Sequence, residues 1–242
     1  MTIKVGTAGW TIPRNFAGEF TAEGSSLERY AHRFDVTEIN SSFHRPHRAS
    51  TWQRWRDSVP DAFRFSVKIP KTITHQARLH DASELLRDFI SQVNVLGDRL
   101  AVLLVQLPPK LEFDESIARG FFADLHNQSD AQLACEPRNP SWFTTEAEEM
   151  LAEQRVARVA ADPAVCEAAA TPGGWSGLRY WRLHGSPVVY RSSYSDTTDE
   201  YADRLTRLDA PKTEIWCIFD NTASSAATGD ALALKGALRR RA

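Results

Sequence analysis

The chain has 242 residues, 42% hydrophobic and 25% charged, a composition that buries a core and excludes a disordered polypeptide. Lys and Arg total 29 against 31 Asp and Glu, so the formal net charge of -2 carries no strong nucleic-acid signal. The three cysteines, Cys135, Cys166 and Cys217, are far apart and form no Cys-x-x-Cys pair, which argues against a zinc knuckle or a disulfide framework.

In chain order, eight short apolar runs read as strands: Ile3 to Gly9, Val36 to Asn40, Phe63 to Lys68, Ala101 to Leu107, Gln132 to Glu136, Val156 to Asp162, Arg179 to His184 and Glu214 to Asp220. Helical spacing fills the intervals. Ser25 or Ser26 can cap a segment carrying Leu27, Tyr30, Ala31 and Phe34. Ser83 can cap another, with Leu86, Phe89, Ile90 and Val93 on one stripe and Gly97 as its stop. Further helices are predicted over Asp114 to Asn127, Thr145 to Gln154, Asp199 to Leu208 and Ser225 to Arg239, and Trp52 and Trp55 fall on another. Thr171 to Gly177 is turn chemistry.

Strands alternating with helices imply an α/β protein with a parallel sheet. At this length the economical form is a single (β/α)₈ TIM-type barrel over 1–242, irregular between strands six and seven, where the gap leaves little room for a helix. A doubly wound open sheet is the alternative, weakened by the lack of any glycine-rich nucleotide-binding turn after a strand. No apolar run approaches the roughly 20 residues that span a bilayer. The opening Met1 to Gly6 lacks the apolar core of a signal peptide. A cytoplasmic protein with no membrane partner is expected.

The strands end in polar residues: Glu38 and Asn40, Lys68, Gln106, Glu136, Asp162, Arg182 and His184, and Asp220 with Asn221. In a barrel these ends share one face, where such folds place their chemistry. Alternation puts Glu38 with Asn40 on one side of their strand, and Tyr180, Arg182 and His184 on one side of theirs. Taken singly, each has an ordinary structural reading; Lys68, for instance, would be an ion-pair partner of Glu38 or Asp220. Taken together, they describe a polar pocket.

Gly6-Thr-Ala-Gly-Trp10, Glu38-Ile-Asn-Ser-Ser-Phe43, Phe63 to Lys68, Ile73-Thr-His75, Gln106-Leu-Pro-Pro109, Glu136-Pro-Arg138 with Ser141-Trp142, Ala161-Asp162, Arg182-Leu-His-Gly185 and Phe219-Asp-Asn-Thr222 follow one another along the chain. This ordered set resembles the domain of unknown function 72 family, also called YecE-like, over essentially the whole length. The resemblance implies a TIM-type barrel and no established activity. The chain departs from the family pattern at Phe20-Thr21-Ala22, Phe43-His44 and Asp220-Asn221, all on the rim.

The acids of the expected pocket are Glu38, Glu136, Asp162 and Asp220; its cations are Lys68, Arg138 and Arg182, with His75 and His184 beside them. Interleaved cations disfavour a bare metal site, and no cofactor is expected. Arg138 and Arg182 can fork onto a carboxylate or phosphate. Gly185-Ser186 and Thr222 to Ser225, after the last two strands, are candidate phosphate loops. Acid–base chemistry fits best: Glu38 or Glu136 as a base of raised pKa, His184 as proton relay, and Lys68 stabilising negative charge or forming a Schiff base. The expected substrate is small and anionic, phosphorylated or sugar-like, and the reaction an isomerisation, lyase step or hydrolysis. Trp10, Asn40, His75, Gln106, Arg138, Asp162, Arg182, Tyr194, Asp220 and Asn221 would bind it. The alternative is a non-catalytic small-molecule or nucleic-acid binding module using Arg, Lys and the rim aromatics Trp10, Phe43, Trp142, Tyr190 and Tyr194.

Overall fold

The computed structural model describes residues 3–208 and 210–241. Residues 1, 2 and 242, the extremities of the 1–242 span expected as one domain, lie outside the described residues, as does 209. The strands are β1 (Ile3–Thr7), β2 (Val36–Ile39), β3 (Arg64–Lys68), β4 (Leu100–Gln106), β5 (Gln132–Glu136), β6 (Val156–Arg158), β7 (Ala160–Asp162), β8 (Gly173–Gly174), β9 (Leu178–Leu183) and β10 (Glu214–Phe219). The helices are α1 (Ser26–Ala31), α2 (Ala49–Asp57), α3 (Ser83–Val93), α4 (Glu115–Gln128), α5 (Thr145–Glu153), α6 (Thr198–Arg207) and α7 (Ala226–Arg239).

Side-chain caps set several helix starts. Ser25 forms a capping box: its Oγ accepts from the Glu28 amide at 3.3 Å, and the Glu28 carboxylate accepts from the Ser25 amide at 2.6 Å. Asp114 and Thr144 cap α4 and α5 by accepting from Ile117 and Ala147. Ser83 is not a cap, as the sequence had suggested. Ala82 holds that place, and Ser83 is the first helical residue. Gly97 does break the helical run: its φ of 54° and ψ of -136° lie outside helical space, and β4 follows three residues later.

The fold is α/β with two largely parallel sheets, ordered β1-β10-β9-β7 and β2-β3-β4-β5-β6-β8. The expected strand Val156 to Asp162 is divided at Val159. Its first half pairs with β5 and its second with β9. Two residues of the Thr171 to Gly177 turn form β8, the antiparallel partner of β6. The gap between β7 and β9 otherwise holds a 3₁₀ turn, Glu167–Ala170. Between the two sheets, Ala8 makes an isolated parallel bridge to Glu38, and the Gly9 amide donates to the Glu38 carbonyl at 2.8 Å.

Two buried apolar clusters lie on opposite faces of the strands. The larger joins residues such as Val5, Ile39, Val67, Leu103, Leu133, Leu183 and Cys217 to the helix stripes Leu86, Phe89, Ile90 and Val93 of α3 and Ala231, Leu234 and Leu238 of α7. The smaller contains Val36, Val102, Leu104, Ala134, Ala157, Val159, Leu178, Tyr180, Trp216 and Ile218, which alternate with the first set along each strand. Polar strand-end residues that share the parity of the smaller set extend that inner face. Gly6 lies on it as well. A Cβ there would overlap the Val36 carbonyl, so only glycine lets β1 approach β2 this closely.

Candidate functional site

Arg182 is the centre of the inner face and is fully buried. Ala161 on β7 and Ile218 on β10 flank it in register, and both share its parity. Its Nε donates to Glu38 Oε2 at 3.0 Å and its Nη2 to Glu38 Oε1 at 2.6 Å. Its Nη1 donates to Glu136 Oε2 at 2.5 Å, and Nη2 also to Asp220 Oδ2 at 3.0 Å. One guanidinium therefore gathers carboxylates from β2, from β5 and from the residue after β10. Burial opposes its charge, but these three carboxylates prevail and raise its pKa well above the ordinary arginine value. A buried ion of this kind is tolerated only because its donors are matched by acceptors.

The carboxylates are satisfied in turn. Tyr180 Oη lies 2.9 Å from both Glu38 Oε2 and Ser66 Oγ. Its single proton goes to the carboxylate, so Ser66 donates to the phenol oxygen. Gln106 Nε2 donates to Glu136 Oε1 at 2.9 Å, Arg138 Nε to the same oxygen at 3.0 Å, and Asn40 Nδ2 to Asp220 Oδ1 at 3.2 Å. The raised pKa expected of a Glu136 base is reversed. Burial does push the carboxyl up, but Arg182, His184 and Arg138 hold it well below the usual range. Arg182 and His184 likewise hold Asp220 down against burial.

His184 sits between two acceptors, Nδ1 at 3.0 Å from Asp220 Oδ2 and Nε2 at 3.1 Å from Glu136 Oε1. A neutral ring would point a lone pair at one of these carboxylates, so both nitrogens carry protons. Burial lowers the pKa, but Glu136 and Asp220 outweigh it and the net shift is upward. An imidazolium held this way is paired with a carboxylate at each ring nitrogen.

Lys68 differs. It is 8% exposed, and its Nζ lies 4.0 Å from the centroid of the Phe43 ring. The expected pairing with Glu38 or Asp220 is absent: the carboxylates are already engaged by Arg182, Arg138 and His184, leaving Lys68 as the surplus cation. Burial, then repulsion from Arg182, lowers its pKa to about 8 despite attraction from Glu136, Glu38 and Asp220. His75 stands nearby, its ring 5.0 Å from Phe43 and its Nδ1 2.8 Å from Thr74 Oγ1. Burial, Lys68 and Arg138 push its pKa down.

The structure thus brings together Glu38, Asn40, Lys68, His75, Gln106, Glu136, Arg138, Arg182, His184 and Asp220. It separates the others. Val159 and Ala161 take the inner face, so Asp162 faces α6, where its Oδ2 accepts from Tyr201 Oη at 2.6 Å. Asn221, one residue past Asp220, turns outward; its Nδ2 donates to the Ser192 carbonyl at 2.9 Å and to Asp230 Oδ2 at 2.6 Å. Tyr194 is buried, donating to the Asp162 carbonyl and accepting from the Gly185 amide. Trp142 is buried with its indole N–H on the Leu111 carbonyl. Trp10 packs edge-on to Trp55. The amides of Ala223 and Ser225 are taken by the Tyr190 and Thr222 carbonyls, which removes two donors from the candidate phosphate loop. Tyr180, which alternation already places beside Arg182, and Ser66, which is not among the site residues expected from the sequence, also belong to the cluster. The same strand parity that placed Arg182 marks both of them.

Among the described residues no group of three or more His, Cys, Asp or Glu side chains is placed to hold a metal ion. Among the described residues, five surface cavities are lined by residues outside the Arg182 cluster. Among the described residues no helix is long and apolar enough to cross a membrane.

A family model described as "Protein of unknown function DUF72" matches residues 4–242. The UPF0759 protein YecE of Escherichia coli strain K12 is 31% identical over 147 residues, covering 61% of this chain and 52% of that protein. The chain spans about half the length of the curated relatives it matches. A solved DUF72 family protein from Enterococcus faecalis V583 superposes with a TM-score of 0.82 at 17% identity, over 98% of this chain and 95% of that one. D-Psicose 3-epimerase from Clostridium cellulolyticum H10, solved with D-tagatose, has a TM-score of 0.58 at 11% identity, covering 98% of each chain. These structural likenesses speak to the fold alone.

Proposed function

The chain belongs to the DUF72 family, and from that premise we propose that it is an enzyme of acid–base chemistry, acting on a small anionic or sugar-like substrate at the C-terminal ends of its strands. The observation that carries the reading is Lys68: a buried amine with no carboxylate of its own, in a cluster whose other ions are mutually paired. With a pKa near 8, it can take a proton from a carbon acid when neutral and stabilise an oxyanion when charged. Its surplus positive charge, with Arg138 and His75 beside it, suits an anionic group on the substrate. Isomerisation or epimerisation next to a carbonyl is the simplest reaction these groups support. The rigid Arg182 network serves as the floor that keeps Lys68 in place.

The two sheets are read as parts of one closed (β/α)₈ barrel over a single domain. The Ala8–Glu38 bridge joins β1 to β2, and β6 and β7 act as one strand that pairs with β5 and then β9. The epimerase superposition supports this reading, since it extends over nearly all of both chains. The binding-module alternative is weakened because Trp142 and Tyr194, two of its five aromatics, are buried in the packing.

The test is solvent exchange. The protein is incubated in D₂O with a panel of ketoses, aldoses, their phosphates and 2-hydroxy acids, and loss of C–H signals is followed by NMR. Exchange in at least one compound is expected, rising with pH about a midpoint near 8 and abolished in Lys68→Met. Exchange that survives in Lys68→Met, or no exchange across the panel with the wild-type fold intact, overturns the proposal.

A further inference from the structure

We propose that the cavity between the loops after β2 and β3 and the helices α2 and α3 is a second binding site, for a small amphipathic anion: an aryl or compact acyl group carrying one carboxylate. The cavity is about 230 Å³ and is walled by Phe43, Pro46, Trp52, Pro70 and Phe89. A dry cavity of roughly 150 Å³ lined by aliphatic and aromatic side chains holds a benzene ring. The larger space here accommodates such a ring with a short polar arm.

Charge at the mouth selects the head group. Arg45 and Lys71 line the cavity against a single carboxylate, Asp88, with His44 beside them. A neutral apolar ligand would satisfy the walls and leave this positive excess unused. A carboxylate projecting from the ring would meet two lining cations and one lining carboxylate.

The site is distinct from the Arg182 cluster. Two lining residues touch Lys68: the Phe43 ring carries its amine against one face, and Ser42 Oγ donates to its carbonyl at 2.6 Å. Occupancy of the cavity therefore bears on the ring that covers Lys68, but the site does not require Lys68 to be catalytic.

Phenylacetate and its neutral counterpart benzyl alcohol are the probes, followed by amide chemical shifts of the full chain. Phenylacetate is expected to bind saturably with a Kd on the order of 1 mM, shifting residues 43–46, 70–72 and 85–92. Benzyl alcohol should bind at least about fivefold more weakly. The double variant Arg45→Gln with Lys71→Gln should weaken phenylacetate by about fivefold to tenfold and leave benzyl alcohol unchanged. Phe89→Trp should fill the cavity and block both probes. Should that variant fold poorly, Leu85→Glu, at a lining residue 41% exposed, places the site by another route: it should weaken phenylacetate through charge repulsion and leave benzyl alcohol unchanged. No saturable shift, equal binding of the two probes, or shifts confined to Lys68, Arg138 and His184 would each overturn the assignment. None of these results bears on the solvent-exchange test of Lys68.

Discussion

Arg182 and Glu38 meet in a two-pronged ion pair at the middle of the inner face, Nε to Oε2 at 3.0 Å and Nη2 to Oε1 at 2.6 Å, with both side chains fully buried. The pair ties β9 to β2, which belong to different sheets. It is a cross-brace as well as a charge pair.

Removing the guanidinium leaves three carboxylates facing one another in a dry interior. Arg182→Met should destabilise the protein by about 3–5 kcal/mol or more, as for a buried ion left without its partner. Replacing the acid in Glu38→Gln retains a hydrogen-bond acceptor and should cost less. Urea unfolding of the two variants checks the order, and equal losses would count against Arg182 as the hub.

Lys68 gives the opposite sign. Its folded pKa of about 8 lies below the ordinary 10.5, so its charged form is disfavoured by folding. The penalty is fully present below pH 8, shrinks between 8 and 10.5, and vanishes above. Lys68→Met should therefore stabilise the protein at pH 7, by up to about 3 kcal/mol. The gain should fade as the pH approaches 10.5. A variant that is less stable than wild type at pH 7 would contradict this account of the site.

His184 and its carboxylates bound stability from both sides. The folded pKa of His184 is raised, so its contribution is full below the unfolded value near 6.5 and is lost as the pH rises through the folded value. Glu136 and Asp220 are lowered; they stabilise above the unfolded carboxylate range, and that contribution is lost as the pH falls through their folded values. Nitrogen NMR at pH 7 should find both ring nitrogens of His184 protonated, with no titration at 6.5. A neutral tautomer there would remove the basis for treating it as a fixed cation.

Gly6→Ala should force β1 from β2, because the new methyl overlaps the Val36 carbonyl, a backbone atom that cannot swing aside. A loss of about 1–3 kcal/mol or more is expected, with faster amide exchange at Gly9, whose N–H bonds the Glu38 carbonyl. Unchanged exchange at Gly9 would show that the two sheets tolerate separation at that seam.

Much of this arrangement is readable from residue order. Alternation along a strand assigns faces, so Glu38, Glu136 and Arg182 could be grouped before any coordinates were known. Asp162 joins that group only by its place at a strand end; alternation runs unbroken through Ala157, Val159 and Ala161 on the inner face, and by the same rule Asp162 falls on the other side. Tyr194 and Trp142 follow strands and resemble rim aromatics in one dimension, yet neighbouring loops and helices close over them. Asn221 adjoins an inner-face residue, but it braces the loop after β9 to α7.

The amino-acid order by itself determined the α/β alternation, the strand faces and the convergence of charged residues at one end, because these depend on periodicities local to each element. Tertiary structure decided which charges cancel. His184 is held as a cation and Lys68 is not because Glu136 and Asp220 hydrogen-bond the histidine and not the lysine, over separations of 48 and 36 residues. Electrostatic free energy depends on distance and burial in space, and neither is written into the spacing of residues along a chain.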